Sequence, residues 1–398
     1  MKKLFLFSAF LLIFILPSSA QRKSSKTDEG YKFTPVIQLK ATPVKNQASS
    51  GTCWCFATTS FIESELLRMG KGEYDLSEMW IVRYNYLDRL EDNFTKQGKG
   101  NLGQGSVGHD WFEVFREHGI VPDEAYTGLN YGMPNHNHSE LNAFVRAVAA
   151  VPVQRKRESD QYHEIVDAVL DTYLGKSPQT FTYKGVTYTP KSFTESLGIK
   201  PDDYVEITSF TIFPFYTQDL LPIPDNWRMF KYYNVPIDEM VGIMDYSLNN
   251  GYTIAWDADV SEKGFQHGKG VAVIPEVENT DQYSAADKAR FGNMTVEERT
   301  AEAYKFNGPF PEVKVTQESR EEGYENHQTT DDHLMHITGI TKDQNGTKYY
   351  ITKNSWGTER NSMGGYLNVS ESYVRAKTIS ILVNKAAIPP EIKTKLGL

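Results

Sequence analysis

Segments of helical periodicity stand in the first third of the chain, and strand-like runs stand in the last quarter. Between them, residues 152–235 mix short β-like runs such as TFTYKGVTYTP with proline-marked turns.

Ordered chain is expected from Tyr31, after a polar leader over 21–30 (QRKSSKTDEG). From Cys53, the residues Phe56, Ala57, Ser60, Phe61, Ser64 and Leu67 recur at helical steps, and Gly70 supplies a stop. A second helix is expected from about Asp110 to His118, closed by Gly119 before Pro122. Ile237 to Leu248 has helical spacing and stops at Asn249, Asn250 and Gly251, and GYTIAWDADV then reads as a buried strand. Glu276 to Asp332 carries 14 acidic against 6 basic residues, which reads as a solvated surface excursion. Strand-like runs follow at His336 to Ile340, Lys348 to Lys353 and Gly365 to Val369.

With 39% hydrophobic and 23% charged residues over 398, the chain is globular rather than disordered. Its two cysteines, Cys53 and Cys55, stand one residue apart, too few and too close for a disulfide framework or a thiolate zinc module. The start, MKKLFLFSAFLLIFILPSSAQ, joins a basic pair to an apolar run from Leu4 to Leu16, with small residues Ser18 and Ala20 at cleavage positions. A signal peptide over 1–20 is expected, and with it a periplasmic or secreted protein free of the membrane after cleavage. The run is too short for an ordinary span, although an uncleaved anchor is the other reading. Removing Lys2 and Lys3 moves the net charge from −9 to −11, and an acidic chain without a basic stripe is a poor nucleic-acid binder.

The chemistry concentrates at two places. In TPVKNQASSGTCWCFA, Cys53 stands at a helix N-terminus, where the dipole favours thiolate, and Gly51 permits a tight turn before it. Gln47, six residues upstream, is placed to set its amide beside the Cys53 backbone N–H, two donors that would form an oxyanion hole. A lone cysteine is more often an inert buried thiol, so a base and an orienting partner are needed. DDHLMHITGI and KYYITKNSWG supply them: His336 precedes Asn354 by 18 residues, a spacing that suits two strands joined by a turn at 343–346. Asn354 would fix the imidazole tautomer and Trp356 would shield that bond from water. His333 is the rival base, since residues three apart on a strand face opposite ways and only one can meet Cys53. The same parity argues against a metal held by both, and His136 with His138 reads as a polar loop rather than a metal site. Neither a metal nor a cofactor is expected.

Gln47, Cys53, Trp54 and Phe56, followed by His and then Asn-Ser-Trp-Gly, resemble the papain-type cysteine peptidases. Asn46, Ser49, Ser50 and Gly51 around them, together with Tyr232 to Phe265, look like the bleomycin hydrolase and aminopeptidase C branch. The apolar residues after His336 match the family pattern, which selects it over His333. The resemblance implies an α+β fold of papain-like, two-lobed form, a helical lobe carrying Cys53 and a barrel-like β lobe carrying His336 and Asn354. It would be one peptidase domain over 31–398, with an insertion over about 152–330 decorating its core. It implies that the glycine-rich loop GNLGQGSVG offers backbone to peptide substrates at Gly105 and Ser106, and that Cys55 only packs. It also implies a hexameric cage and aminopeptidase action enforced by a C-terminal arm in the cleft. The ending IPPEIKTKLGL looks short of a full arm, so an endopeptidase stays open, as does a non-catalytic binding or scaffold protein on the same fold.

Overall fold

A computed structural model describes residues 30–398, so the expected signal peptide and nearly all of the leader lie outside the described residues. The long helix α1 (Cys53–Arg68) is buried almost throughout from Cys53 to Leu66, which makes it a central element rather than a surface amphipath. Its acidic residues are matched: Glu63 accepts from Thr42 Oγ1 at 2.5 Å and from the Leu76 N–H at 2.8 Å. Five helices share a core with it: α2 (Glu78–Thr95), α3 (Gly108–His118), α4 (Ser139–Arg155), α5 (Asp160–Leu174) and α6 (Pro190–Leu197). Trp54, Phe61, Trp80, Trp111 and Phe193 fill that core.

The strands are β1 (Thr34–Gln38), the small hairpin β2 (Phe181–Tyr183) and β3 (Val186–Tyr188), β4 (Tyr204–Thr208), β5 (Gln218–Leu220) and β6 (Lys231–Asn234). Then come β7 (Ile254–Ala258), β8 (Phe265–Gln266), β9 (Val271–Ala272), β10 (His333–Lys342), β11 (Lys348–Lys353), β12 (Tyr366–Ser370) and β13 (Thr378–Asn384). All but the hairpin join one sheet, in the order β5-β6-β4-β13-β7-β10-β11-β12-β9-β8, with β1 also on β10. At Gly339 a Cβ would stand 2.1 Å from the Ile37 carbonyl oxygen, so only glycine permits β1 to lie this close. The second core, with Trp256, Met335, Ile337 and Ile381, is covered by α7 (Ile237–Asn249).

Three short helices follow in the acidic stretch, α8 (Ala285–Phe291), α9 (Val296–Ala303) and α10 (Gln317–Glu325), and α11 (Glu371–Lys377) and α12 (Pro390–Leu396) close the chain. The fold is α+β, and β10 packs on α1 where the two cores meet. The acidic stretch is not wholly a solvated excursion, because Arg320 and Glu321 of α10 are buried. The expected insertion over about 152–330 needs a correction. That span supplies β7, which lies between β13 and β10 in mid-sheet, together with β4 and α7, so much of it is the core itself. Among the described residues no helix is long and apolar enough to cross a membrane.

Candidate active site

Cys53 is the first residue of α1, so its backbone N–H has no acceptor within the helix. The turn before it is braced by Gly51 N–H donating to Gln104 Oε1 at 2.8 Å and by Ser50 Oγ meeting Thr52 Oγ1 at 2.6 Å. Gln47 is buried, its Oε1 accepting from Ser355 Oγ at 2.6 Å and its Nε2 donating to the Ser50 carbonyl at 2.8 Å. A side-chain amide nitrogen carries two N–H groups, so this arrangement leaves a second one for an incoming oxygen. Cys55 is fully buried with Sγ 3.2 Å from the Glu78 carbonyl, and neither cysteine is in a disulfide.

The histidine that meets Asn354 is His333. Its Nε2 lies 2.8 Å from Asn354 Oδ1, and the Ser355 N–H donates to the same oxygen at 2.7 Å. An oxygen taking two bonds fixes the tautomer: Nε2 carries the proton and Nδ1 keeps its lone pair. Trp356 covers the imidazole with ring centroids 4.8 Å apart. The next residue, Leu334, brings its backbone N–H to the Cys53 sulfur. Burial pushes the Cys53 thiol up to about 12, with the carboxylates of Asp225 and Asp257 adding to the rise and the Leu334 and Trp54 N–H groups opposing it. Burial also pulls His333 down to about 4, against the Asn354 bond. Burial thus works against a charge on either group.

His336, the expected base, points the other way. Its Nδ1 meets Ser60 Oγ of α1 at 2.8 Å, and Lys353 Nζ donates to that same hydroxyl at 2.7 Å. Burial, then the Lys353 charge, holds it well below the ordinary histidine range. Two facts defeat the sequence argument. β10 is buried on both faces from His333 to Thr341, so apolar neighbours cannot select a face. And β10 pairs with β11 through a bulge between Ile337 and Gly339. Extending the register beside the turn (Lys342 with Lys348, Ile340 with Tyr350) would set Asn354 opposite residue 336. The bulge slips the pairing by one, puts Lys353 there instead, and turns Asn354 toward the His333 face.

His267 was not foreseen. Its Nδ1 stands 3.3 Å from Asn354 Nδ2 and its ring lies 5.0 Å from Trp356. It arrives on a short helical turn after β8, a placement without a local sequence signal. Gly105 and Ser106 are both engaged within the protein. The Gly105 carbonyl accepts from Arg89, and the buried Ser106 hydroxyl is held by Trp227 Nε1 at 2.8 Å and Asp110 Oδ2 at 2.5 Å. The expected polar loop at His136 and His138 is partly core, with His138 fully buried and both its ring nitrogens unpartnered. Asp88, Glu117 and His118 bring ligand atoms within 4.8 Å of one another, but Asp88 is ion-paired with Arg228.

The family model of the papain family cysteine proteases matches residues 36–200 and 249–385. Aminopeptidase C of Lactococcus lactis subsp. cremoris is 22% identical over 89% of this chain and 83% of its own length. Bleomycin hydrolase of Mus musculus is 22% identical over 93% and 86% respectively. The crystal structure of PepW from Lactobacillus rhamnosis superposes with a TM-score of 0.64 over 92% of this chain and 84% of that one, at 18% identity.

Proposed function

The chain belongs to the papain family of cysteine proteases, and we propose on that footing that it is an aminopeptidase with Cys53 as nucleophile and His333 as base. The observation that carries the reading is the 2.8 Å contact of His333 Nε2 with Asn354 Oδ1, on a strand whose next N–H meets the Cys53 sulfur. As sulfur bonds to the substrate carbonyl carbon, the thiol proton moves to His333 Nδ1. The Cys53 N–H and the second N–H of Gln47 hold the oxyanion. The C–N bond then breaks, and His333 gives the proton to the leaving amine. A water deprotonated by His333 displaces the sulfur, restoring thiol and imidazole and releasing the acid.

The restriction to amino-terminal residues is supported by the likeness to aminopeptidase C and bleomycin hydrolase. It is independent of α12 and Leu398, which pack against the β-lobe core, with Lys395 paired to Glu239 of α7. Digestion of free and N-acetylated peptides of one sequence, read by mass spectrometry, tests it. Loss of single residues from the free peptide alone is expected, and equal cleavage of both would make the protein an endopeptidase. A thiol-directed covalent probe that labels wild type and Cys53→Ala equally would leave only the binding or scaffold reading. Export through a signal peptide over 1–20 and assembly into a hexamer belong to the same proposal. The mass of the mature chain and sedimentation analysis test them.

A further inference from the structure

Asp257 of β7 is the least provided-for carboxylate near the nucleophile. It is 2% exposed, and neither of its oxygens receives an N–H or O–H from the protein. It lies opposite Leu334 across the β7–β10 ladder, the residue whose N–H reaches the Cys53 sulfur, so it stands one strand away from the reacting thiol. Paired residues share a face, and Leu334 shares that face with His336, which turns toward α1. The Asp257 carboxylate is thus directed into the seam between the lobes.

Two further carboxylates converge there. Asp225, from the segment between β5 and β6, accepts nothing from the glycine-rich loop but presses on it: a Cβ on Gly105 would fall 2.0 Å from Asp225 Oδ2. Its own N–H donates to Asp331 Oδ2 at 3.2 Å. The strongest electrostatic neighbours of Asp257 are all carboxylates: Asp331, Glu206, Asp225 and Asp332. Glu206 is already satisfied by His109, and Asp332 by Thr330 and the Val260 N–H. Arg89 is the cation that faces the group, from behind the Gly105 carbonyl. Asp257, Asp225 and Asp331 remain as a buried acidic seat with an unpartnered member, where an arriving cation would supply the missing donors.

We propose that Asp225, Asp257 and Asp331 form a subsite beside Cys53 that takes a primary ammonium group of the peptide substrate. The proposal rests on the peptidase reading for its substrate, not for its test. The ammonium has two sources, the free α-amino terminus or a lysine side chain, and both would donate to the same oxygens. Asp225 pressing on Gly105, with the Gly105 carbonyl given to Arg89, narrows the strip along which an extended peptide would continue, which suits a chain terminus.

Binding to Cys53→Ala, which cannot turn substrate over, separates the subsite from catalysis. The probes are Lys-Ala-Ala and norleucine-Ala-Ala, each free and N-acetylated, measured by titration calorimetry. If the α-ammonium is the ligand, both free peptides bind about tenfold or more tighter than their acetylated forms. If the side chain is the ligand, the lysine peptides exceed the norleucine ones by a similar factor. Either preference should collapse in Asp225→Asn and again in Asp257→Asn, isosteric changes that keep the packing while far-UV dichroism reports the fold. Equal or unmeasurable binding of all four peptides overturns the subsite, as does a preference that survives both substitutions. Failure of wild type to hydrolyse any peptide would overturn the peptidase reading while leaving this measurement intact.

Discussion

His333 and His336 stand on one strand with opposite partners: the first meets Asn354 at 2.8 Å and the second meets Ser60 at 2.8 Å. On the proposed mechanism, chemistry and support are divided between two faces of β10. His333→Ala should lower kcat/KM about 10³-fold or more, since it removes the general base. His336→Gln, which keeps a hydrogen-bonding partner for Ser60, should stay within about threefold of wild type, because substitutions that keep the local bonding leave the catalytic geometry in place. Peptide hydrolysis by the two purified variants decides between them, and the reverse ranking would restore His336 as the base.

Asn354 acts on the imidazole by holding its tautomer. Asn354→Ala should reduce kcat by roughly 10–10²-fold with little change in KM, as for loss of an orienting group that does not touch substrate. Steady-state kinetics on one peptide separates the two constants. A change confined to KM would place Asn354 in substrate binding instead.

On the proposed mechanism, Gln47 contributes a donor to the oxygen that becomes charged. Gln47→Ala should cost about 10²–10³-fold in kcat. Rapid labelling of Cys53 by iodoacetamide should persist in that variant, since alkylation forms no oxyanion. Loss of both would mean that the Ser355–Gln47–Ser50 bracing had collapsed.

Acid acts on the fold through buried histidines. Burial, with His136 adding to it, lowers His138 to about 3, against 6.5 in an unfolded chain. Its folded pKa lies below its unfolded one, so the unfolded state binds the extra proton first. Stability is undiminished above pH 6.5 and declines as pH falls toward about 3, by on the order of 3–5 kcal/mol for this residue. His138→Phe should flatten that part of the curve in urea titrations between pH 7 and 4. Activity should follow a different group: His333 stays a neutral base until pH falls to about 4, so short assays should keep their rate below pH 6.

The sequence carried the helices whose ends are marked, α1 before Gly70, α3 before Gly119 and α7 before Asn250, and it carried β11 from Lys348 to Lys353 to the residue. It also singled out Cys53, Gln47, Asn354 and Trp356, because each sits in a short motif. It did not carry the choice of histidine, which turns on a bulge that no local residue preference specifies. Nor did it carry Asp225, Asp257 and Asp331, which come from three separated segments and are brought together only by the sheet. α4 and α5 were missed for another reason. Exposed apolar residues such as Phe144, Val151 and Ile165 blur the polar face that periodicity needs.

The position of β13 bears on how the chain emerges during synthesis. It lies between β4 and β7 in mid-sheet, although its residues, Thr378–Asn384, follow every other described strand of that sheet in the chain. Cys53 is made some 280 residues before His333, and the strand that carries His333 is clamped on one side by β7, itself held by β13. At ~5–20 residues per second, a helical half bearing an unassisted thiol waits many seconds for its partner lobe. A nascent chain of this protein is thus unable to cut its neighbours on a polysome before β13 has been made, and proteolytic competence waits for that strand.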